Sequence, residues 1–318
     1  MTDRLDMTLT VSDSITVPSW QDKISAYLEL SKSGIVTLVL ISVLGGYLVG
    51  QPSETPLSLT RMAITLIGVL CLAAGSSALN QLQEIPEDAK MPRTSARPLP
   101  SGRISRRGAW VFVGCSLLVG LAGLAKIDWV LVALGVLAVL SYNGLYTLWW
   151  KRHWSYAAIP GAIPGALPIL MGHYAASGHL GAPSGIYLFF LLFFWQMPHF
   201  WVLALRFRSD YESGNFPTLP VTHGPGVTVA RIVTWCLAYV GLAILGPLFM
   251  NIRGLYCIIT FAMSAKVVWE MLKFVKDSES LRPQGKAWLR FFLWVNFSLI
   301  AYIGAAVLDL WSVYFIPG

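Results

Sequence analysis

Residues 57–88 read LSLTRMAITLIGVLCLAAGSSALNQLQEIPED, a long apolar run that ends in an acidic tail. An α-helix rises about 1.5 Å per residue, so about 20 apolar residues cross the hydrocarbon core of a bilayer. The run over 57–79 is long enough to do so. Because ionised carboxylates are costly inside lipid, the acidic tail is expected where the helix leaves the core. The stretch therefore predicts a transmembrane helix with acidic side chains at its end.

Eight further apolar runs of similar length occur along the chain, which predicts an all-α membrane protein of about nine transmembrane helices. The nine runs are 33–50, 57–79, 108–126, 128–149, 156–175, 184–205, 227–250, 254–275 and 287–309. Composition agrees, since 55% of the 318 residues are apolar and only 12% are charged. A soluble domain carries about 25% charged residues, so lipid is the expected solvent for most of this chain.

Positive charge is distributed unevenly between the connections. Of the 23 Lys and Arg residues, all but Arg61, Lys126 and Arg253 fall on the side of the N-terminus. The positive-inside rule then predicts a cytoplasmic N-terminus and, for nine spans, a C-terminus outside. Membrane topology also explains the net charge of +7 without a nucleic-acid partner. We divide the chain into a cytoplasmic N-terminal segment, 1–32, and a single transmembrane domain, 33–318.

Cysteine spacing and the N-terminal composition exclude several other classes. The four cysteines lie in apolar stretches without CxxC spacing, so neither a disulfide framework nor a zinc site is indicated. They are Cys71, Cys115, Cys236 and Cys257. The first thirty residues contain four aspartates and no apolar core, unlike a secretory signal or a mitochondrial presequence.

Asn80, Glu84 and Asp88 follow the second span at i, i+4 and i+8. On a helix this spacing places the three side chains on roughly one face, although Pro86 is expected to kink or restart the helix. Amide and carboxylate oxygens are the ligands that Mg²⁺ takes, and the ion completes its shell with water and substrate phosphates. The spacing therefore predicts a magnesium site at the cytoplasmic end of this helix.

Basic residues follow this acidic motif at once. Arg93 and Arg97, both adjacent to prolines, are candidates for binding phosphate oxygens, because guanidinium groups grip phosphate bidentately. For Arg103, Arg106 and Arg107, membrane topology alone is the preferred explanation.

Two further helix ends carry candidate residues. Lys151 and Arg152 close the fourth span, where a basic pair is by itself only typical of a membrane boundary. His199 lies within the sixth span, and an interior hydrogen-bonded histidine is as good an interpretation as a functional one. Asp210 follows it on the basic side and is a natural second metal ligand.

Taken together, these motifs resemble the intramembrane prenyltransferases of the 4-hydroxybenzoate polyprenyltransferase superfamily, over residues 30 to 310. The pattern is Asn80-x3-Glu84-x3-Asp88-x2-Met91-x-Arg93-Thr94-x2-Arg97-Pro98, with Lys151-Arg152 and Pro198-His199-Phe200-Trp201…Asp210-Tyr211. Two stretches, from Met91 to Pro98 and from Trp195 to Phe200, resemble the branch of the superfamily that farnesylates haem.

The resemblance implies a helical bundle around a central cavity open to the cytoplasmic side. It implies a Mg²⁺-binding catalytic set and a diphosphate-binding set. The first comprises Asn80, Glu84, Asp88 and Asp210; the second comprises Arg93, Arg97, Lys151 and Arg152. Glu84 stands where many relatives have Asp, and Ser209 stands beside Asp210 where an acidic residue is common. Glu212 is therefore a candidate substitute ligand.

The resemblance also implies the reaction. The expected donor is farnesyl diphosphate and the expected acceptor a vinyl group of haem b, giving haem O for terminal oxidases. The position of His199 within its span separately suggests the hypothesis that it faces the haem iron or a propionate. The implied location is the bacterial inner membrane, with membrane lipid and haem A synthase or oxidase-assembly proteins as partners. Two alternatives stay open: prenylation of an aromatic quinone or chlorophyll precursor, and a secondary transporter with helices broken at Pro160, Pro164 and Pro168.

Overall fold

Helices account for most of the computed structural model, which describes residues 19–252, 254–277 and 285–312 and has no strand among them. In chain order they are α1 (Trp20–Leu30), α2 (Ser33–Gly50), α3 (Leu59–Gln83), α4 (Ile85–Asp88), α5 (Arg106–Ala125), α6 (Trp129–Val139), α7 (Lys151–His153), α8 (Ala158–Ser177), α9 (Pro183–Arg206), α10 (Arg208–Ser213), α11 (Leu219–Thr222), α12 (Gly224–Ile244), α13 (Gly254–Lys276) and α14 (Lys286–Trp311). A π-helical segment, Leu140–Trp150, joins α6 to α7 into one span, Trp129–His153.

Each predicted run corresponds to one long helix, and the predicted all-α membrane fold is confirmed. Within the described residues, eight helices are long and apolar enough to cross a membrane. The remaining long helix, α8, is less apolar because Pro160, Pro164, Pro168 and His173 fall within it. It packs against α2, α9, α6 and α3, so most of its surface faces protein rather than lipid. Its role as a ninth span stays a prediction.

One predicted boundary differs from the structure by six residues. The apolar run 227–250 predicts a single helix, but α12 ends at Ile244 and a short 3₁₀ turn follows over Gly246–Leu248. Pro247 lacks a backbone N–H and disfavours helical geometry at the residue before it. The helix therefore ends although the apolar run continues.

Glycines bring α2 and α8 into backbone contact. A Cβ at Gly46 would lie 2.1 Å from the carbonyl oxygen of Ile169, and one at Gly172 would lie 2.0 Å from that of Val43. Gly50 meets His173 in the same way, at 2.5 Å. Small residues at such spacing let membrane helices approach closely and gain van der Waals contact. This seam fixes α8 beside α2 in the middle of the bundle.

The π-helical segment of the span Trp129–His153 packs against the end of α3 that carries the candidate site residues. Asn143 donates from Nδ2 to the carbonyl oxygen of Ser76 at 2.9 Å, and Thr147 donates from Oγ1 to the carbonyl oxygen of Tyr142 at 2.9 Å. π-Helical turns are frequent at functional sites. The segment ends immediately before Lys151, whose position it sets.

The N-terminal segment contributes α1 to the fold. Ala26 and Leu30 are buried in a small apolar cluster with residues of α3 and α5. Lys32 then adopts a left-handed conformation, with φ 54° and ψ 52°, and turns the chain from α1 into α2. Lys32, which belongs to the predicted cytoplasmic segment 1–32, therefore lies against the helical bundle.

Candidate active site

A break in the helix after α3 places two carboxylates inside the bundle. α3 ends at Gln83, Glu84 leaves helical geometry with φ −112° and ψ 16°, and α4 restarts with Pro86 near its beginning. The predicted effect of Pro86 is confirmed. Glu84 and Asp88 are 2% and 0% exposed, so the break has turned both side chains away from solvent.

Each buried carboxylate is paired with a cation from another part of the chain. Lys151 donates from Nζ to both oxygens of Glu84, at 2.7 and 2.9 Å. Arg97 donates from Nη1 to both oxygens of Asp88, at 2.9 and 2.8 Å. Removing an ion from water costs several kcal/mol of desolvation free energy, and attraction to an oppositely charged partner offsets that cost. The cations therefore permit two carboxylates at this depth.

The pKa of Glu84 reflects the same balance. Burial alone would raise the pKa of this carboxyl, but the positive charges of Lys151, Lys32 and Arg97 outweigh burial and lower it below the ordinary value. Glu84 is consequently ionised at neutral pH and able to act as an anionic ligand.

Lys32 joins this cluster without having been predicted. Its Nζ donates to Oδ1 of Asn80 at 2.7 Å, while Nδ2 of Asn80 donates to Oγ1 of Thr147 at 3.1 Å. Burial, and secondly the charge of Arg97, lower the pKa of Lys32 to about 8. In the sequence Lys32 is a single basic residue before an apolar run, which is ordinary for a membrane boundary and carries no separate signal.

These side chains line one cavity of about 350 Å³. Four cations and two carboxylates lie in its wall, namely Lys32, Arg93, Arg97, Lys151, Glu84 and Asp88. Asn80, Tyr142, Tyr146, Tyr211 and His199 also line it. The surplus of positive charge suits a ligand with several negative charges, such as a diphosphate.

A second cavity, of about 250 Å³ and mainly apolar, adjoins the first. The two share five lining residues, Lys32, Ile35, Tyr142, Gly161 and Gln196. The apolar one extends between α2, α3 and α8 past Leu72, Gly135 and Met171. A charged compartment that continues into an apolar one fits a molecule with an anionic head and a hydrocarbon tail.

Asp210 and Arg152 are near the charged cavity but do not line it. Nε of Arg93 lies 3.7 Å from a carboxylate oxygen of Asp210, so the two helix ends do meet through a cavity-lining arginine. Arg152 instead pairs with Glu87 and donates to the carbonyl oxygen of Gln83 at 3.1 Å. Glu212, the suggested substitute ligand, is exposed. The functional roles assigned to these residues stay predictions.

The donor set fits a magnesium ion by its chemistry. Glu84, Asp88 and the amide oxygen of Asn80 are hard oxygen donors that line the same cavity. Among the described residues there is no group of three or more His, Cys, Asp or Glu side chains placed to hold a metal without other ligands. Such a set suits an ion that retains water and takes further oxygens from a phosphate-bearing substrate.

His199 faces the polar cavity from α9. Its ring lies between those of Trp195 and Phe292, at centroid distances of 4.7 and 5.2 Å. Its Nδ1 is buried and has no hydrogen-bond partner among the described residues. By contrast, His173 bonds Ser184 and Ser177 and is a satisfied interior histidine. His199 thus lines the cavity with a ring that also interacts with Asn296, and its role toward a ligand stays a prediction.

The fold and this site define an intramembrane prenyltransferase. Residues 39–296 match the UbiA prenyltransferase family. The chain belongs to that family, and the resemblance inferred from its motifs is confirmed. Membership leaves the transporter alternative without support.

Two similar relatives narrow the assignment to a branch, and both are named protoheme IX farnesyltransferase. The one from Bdellovibrio bacteriovorus is 42% identical over 290 residues, which cover 91% of this chain and 98% of the relative. The one from Aquifex aeolicus is 39% identical and covers 84% of this chain and 91% of the relative. The predicted haem-farnesylating branch is thereby confirmed.

Solved structures share the same fold at low sequence identity. A structure of digeranylgeranylglyceryl phosphate synthase superposes with a TM-score of 0.71 at 19% identity, covering 90% of this chain and 99% of that one. A UbiA homologue from Archaeoglobus fulgidus, bound to GPP and Mg²⁺, gives 0.62 at 20% identity, covering 89% and 99%. These likenesses support the bundle architecture.

Proposed function

We propose that the protein transfers the farnesyl group of farnesyl diphosphate to a vinyl group of haem b, producing haem O. One observation carries the proposal. The buried pairs Glu84–Lys151 and Asp88–Arg97 stand in the wall of a charged cavity that continues into an apolar one. The charged cavity suits the diphosphate of a prenyl diphosphate, and the apolar cavity suits its hydrocarbon chain. The proposed acceptor, haem b, is inferred from the names of the relatives.

The donor would lie with its diphosphate among the cations and its farnesyl chain in the apolar cavity. Arg93, Arg97, Lys151 and Lys32 are placed to bind phosphate oxygens. Asn80, Glu84 and Asp88 would hold Mg²⁺ together with the diphosphate, and the ion adds positive charge that stabilises the leaving group. Asp210, beside Arg93, is retained as a further proposed ligand, and Arg152, which pairs with Glu87, is retained as a further proposed diphosphate-binding residue.

The chemical step is electrostatic. The allylic C–O bond breaks and its electron pair leaves with the diphosphate, whose growing charge the Arg and Lys side chains stabilise. The allylic cation must be shielded from water until it reaches the acceptor. Tyr142 and Tyr146, stacked at a centroid distance of 5.9 Å in the cavity wall, offer ring faces to a cation.

The acceptor vinyl group then forms a new C–C bond with the farnesyl carbon. The positive charge moves to the vinyl carbon next to the porphyrin, where water adds and loses a proton, leaving a hydroxyethylfarnesyl group. His199 is proposed to contact the haem iron or a propionate, because its Nδ1 has no partner among the described residues and its ring lines the same cavity.

The decisive experiment is an acceptor assay with the purified protein, farnesyl diphosphate, Mg²⁺ and haem b, with products identified by mass. Haem O formation is expected, with no product after chelation of divalent metal. An aromatic quinone precursor offered in parallel tests the alternative acceptor. If that compound alone were prenylated, the acceptor would be wrong although the donor site stood.

Matched variants in one loop test the site itself. Asp88→Asn and Arg97→Gln are each expected to lower kcat/KM by about 10² or more, the scale of losing one preorganised electrostatic contact. Arg103→Gln, in the same loop as Arg97, removes an exposed cation that pairs with Glu29 of α1. This variant is expected to leave activity unchanged. Thermal unfolding of each variant separates loss of chemistry from loss of fold.

The proposal also places the protein in the cell. We propose the bacterial inner membrane with a cytoplasmic N-terminus and an outside C-terminus, following the positive-inside rule. Haem A synthase or oxidase-assembly proteins are the proposed recipients of the product. Co-purification from membranes that contain a haem–copper oxidase tests this partnership.

A further inference from the structure

A second charged cavity, of about 470 Å³, lies where α13 ends and α14 begins. Its lining residues are Glu270, Lys273, Lys276, Asp277, Lys286, Ala287 and Arg290. None of them lines the candidate active site. Four cations and two carboxylates face this cavity, so positive charge again exceeds negative charge.

Helical spacing brings these charges together. Lys266, Glu270 and Lys273 on α13 are separated by four and three residues, which aligns them on one face, and Asp277 follows four residues later, just beyond the end of the helix. Lys286 and Arg290 are four apart on the facing helix α14. Charged faces of the two helices thus meet at one end of the helix pair.

Glu270 is the buried member of this cluster. Its side chain is 1% exposed, and its Oε1 accepts from Lys266 Nζ at 2.6 Å and from Arg290 Nη2 at 3.0 Å. Its Oε2 is buried and has no hydrogen-bond partner in the part of the chain that the structure describes. A buried carboxylate oxygen without a donor is costly, which indicates a ligand that brings one.

Tryptophans mark the depth of the cluster in the membrane. Nζ of Lys273 lies 4.8 Å from the ring centroid of Trp269, which is 56% exposed, and Nζ of Lys266 lies 4.9 Å from that of Trp294. Tryptophan and lysine concentrate where hydrocarbon gives way to headgroups. Exposed Leu272 and Leu289 stand beside the charges and offer an apolar surface to acyl chains.

We propose that this cavity binds the headgroup of an anionic phospholipid. The phosphate would contact Lys273, Lys276, Lys286 and Arg290, and a headgroup hydroxyl, as in phosphatidylglycerol, would donate to Oε2 of Glu270. Basic pockets between transmembrane helices bind anionic lipids in this way. The bound lipid would hold the ends of α13 and α14 together.

The test measures lipid retention by the full-length purified protein, using native mass spectrometry with phosphatidylglycerol, phosphatidylethanolamine or phosphatidylcholine. Phosphatidylglycerol is expected to bind most tightly, because it alone carries net negative charge. The double variant Lys276→Gln/Lys286→Gln is expected to weaken its binding by about fivefold per cation removed.

The matched control is Arg106→Gln/Arg107→Gln, which removes two exposed cations at the beginning of α5. It is expected to bind phosphatidylglycerol as the unaltered protein does. Equal weakening in both double variants would show a general charge effect and overturn the site. Equal retention of the three lipids, or of phosphatidylglycerol and phosphatidylethanolamine, would overturn the requirement for an anionic headgroup.

Discussion

Lys32 combines an unusual backbone conformation with a place in the wall of the candidate active site. Its left-handed conformation places a non-glycine side chain where L-residues are disfavoured, and its ammonium group reaches Asn80 within the charged cavity. This conformation occurs at the turn that joins α1 to α2, beside the candidate active site.

Two substitutions at Lys32 separate strain from function. Lys32→Gly is expected to be about 1 kcal/mol more stable than Lys32→Ala, because glycine adopts φ 54° without a Cβ penalty. Both variants lose the charged hydrogen bond and should lose activity by about 10- to 100-fold. Chemical unfolding and haem O assays measure the two effects. Equal stability of the variants would contradict a left-handed turn at this position.

At the scale of elements, the contact between α2 and α8 depends on glycine. A methyl group at Gly172 would meet the Val43 carbonyl at 2.0 Å, so Gly172→Ala is expected to destabilise the protein by about 1–3 kcal/mol or more. Gly304→Ala, in α14, has nothing within 4 Å of the added carbon and is expected to be neutral or slightly stabilising. Thermal unfolding in detergent compares the pair. Similar effects of both changes would contradict close packing at the seam.

The sequence predicted the helices well because length and apolarity are local properties. The run 33–50 corresponds to α2 without adjustment, and Asn80, Glu84 and Asp88 stand together as their spacing predicted. The partners of the carboxylates could not be predicted, because Lys151 lies 67 residues from Glu84 and meets it only through packing. Lys32 was missed for the same reason.

At the scale of the whole molecule, the charge asymmetry of the loops predicts its orientation. In a cysteine-free background, Glu54→Cys is expected to react with a membrane-impermeant maleimide in intact cells, because its loop lies on the side poor in Lys and Arg. Ser101→Cys, in the basic loop after α4, should react only after permeabilisation. Both positions are exposed. The reverse pattern would place the active site outside.

The buried pairs Asp88–Arg97 and Glu84–Lys151 also bear on the order in which the proposed ligands would bind. A divalent ion alone would meet both carboxylates already paired with cations, and the remaining cations of the cavity wall would repel it. A bound diphosphate would compete with the carboxylates for the guanidinium and ammonium groups, and would thereby free carboxylate oxygens for the ion. If these carboxylates bind Mg²⁺ as proposed, we expect the ion to enter together with the diphosphate rather than before it.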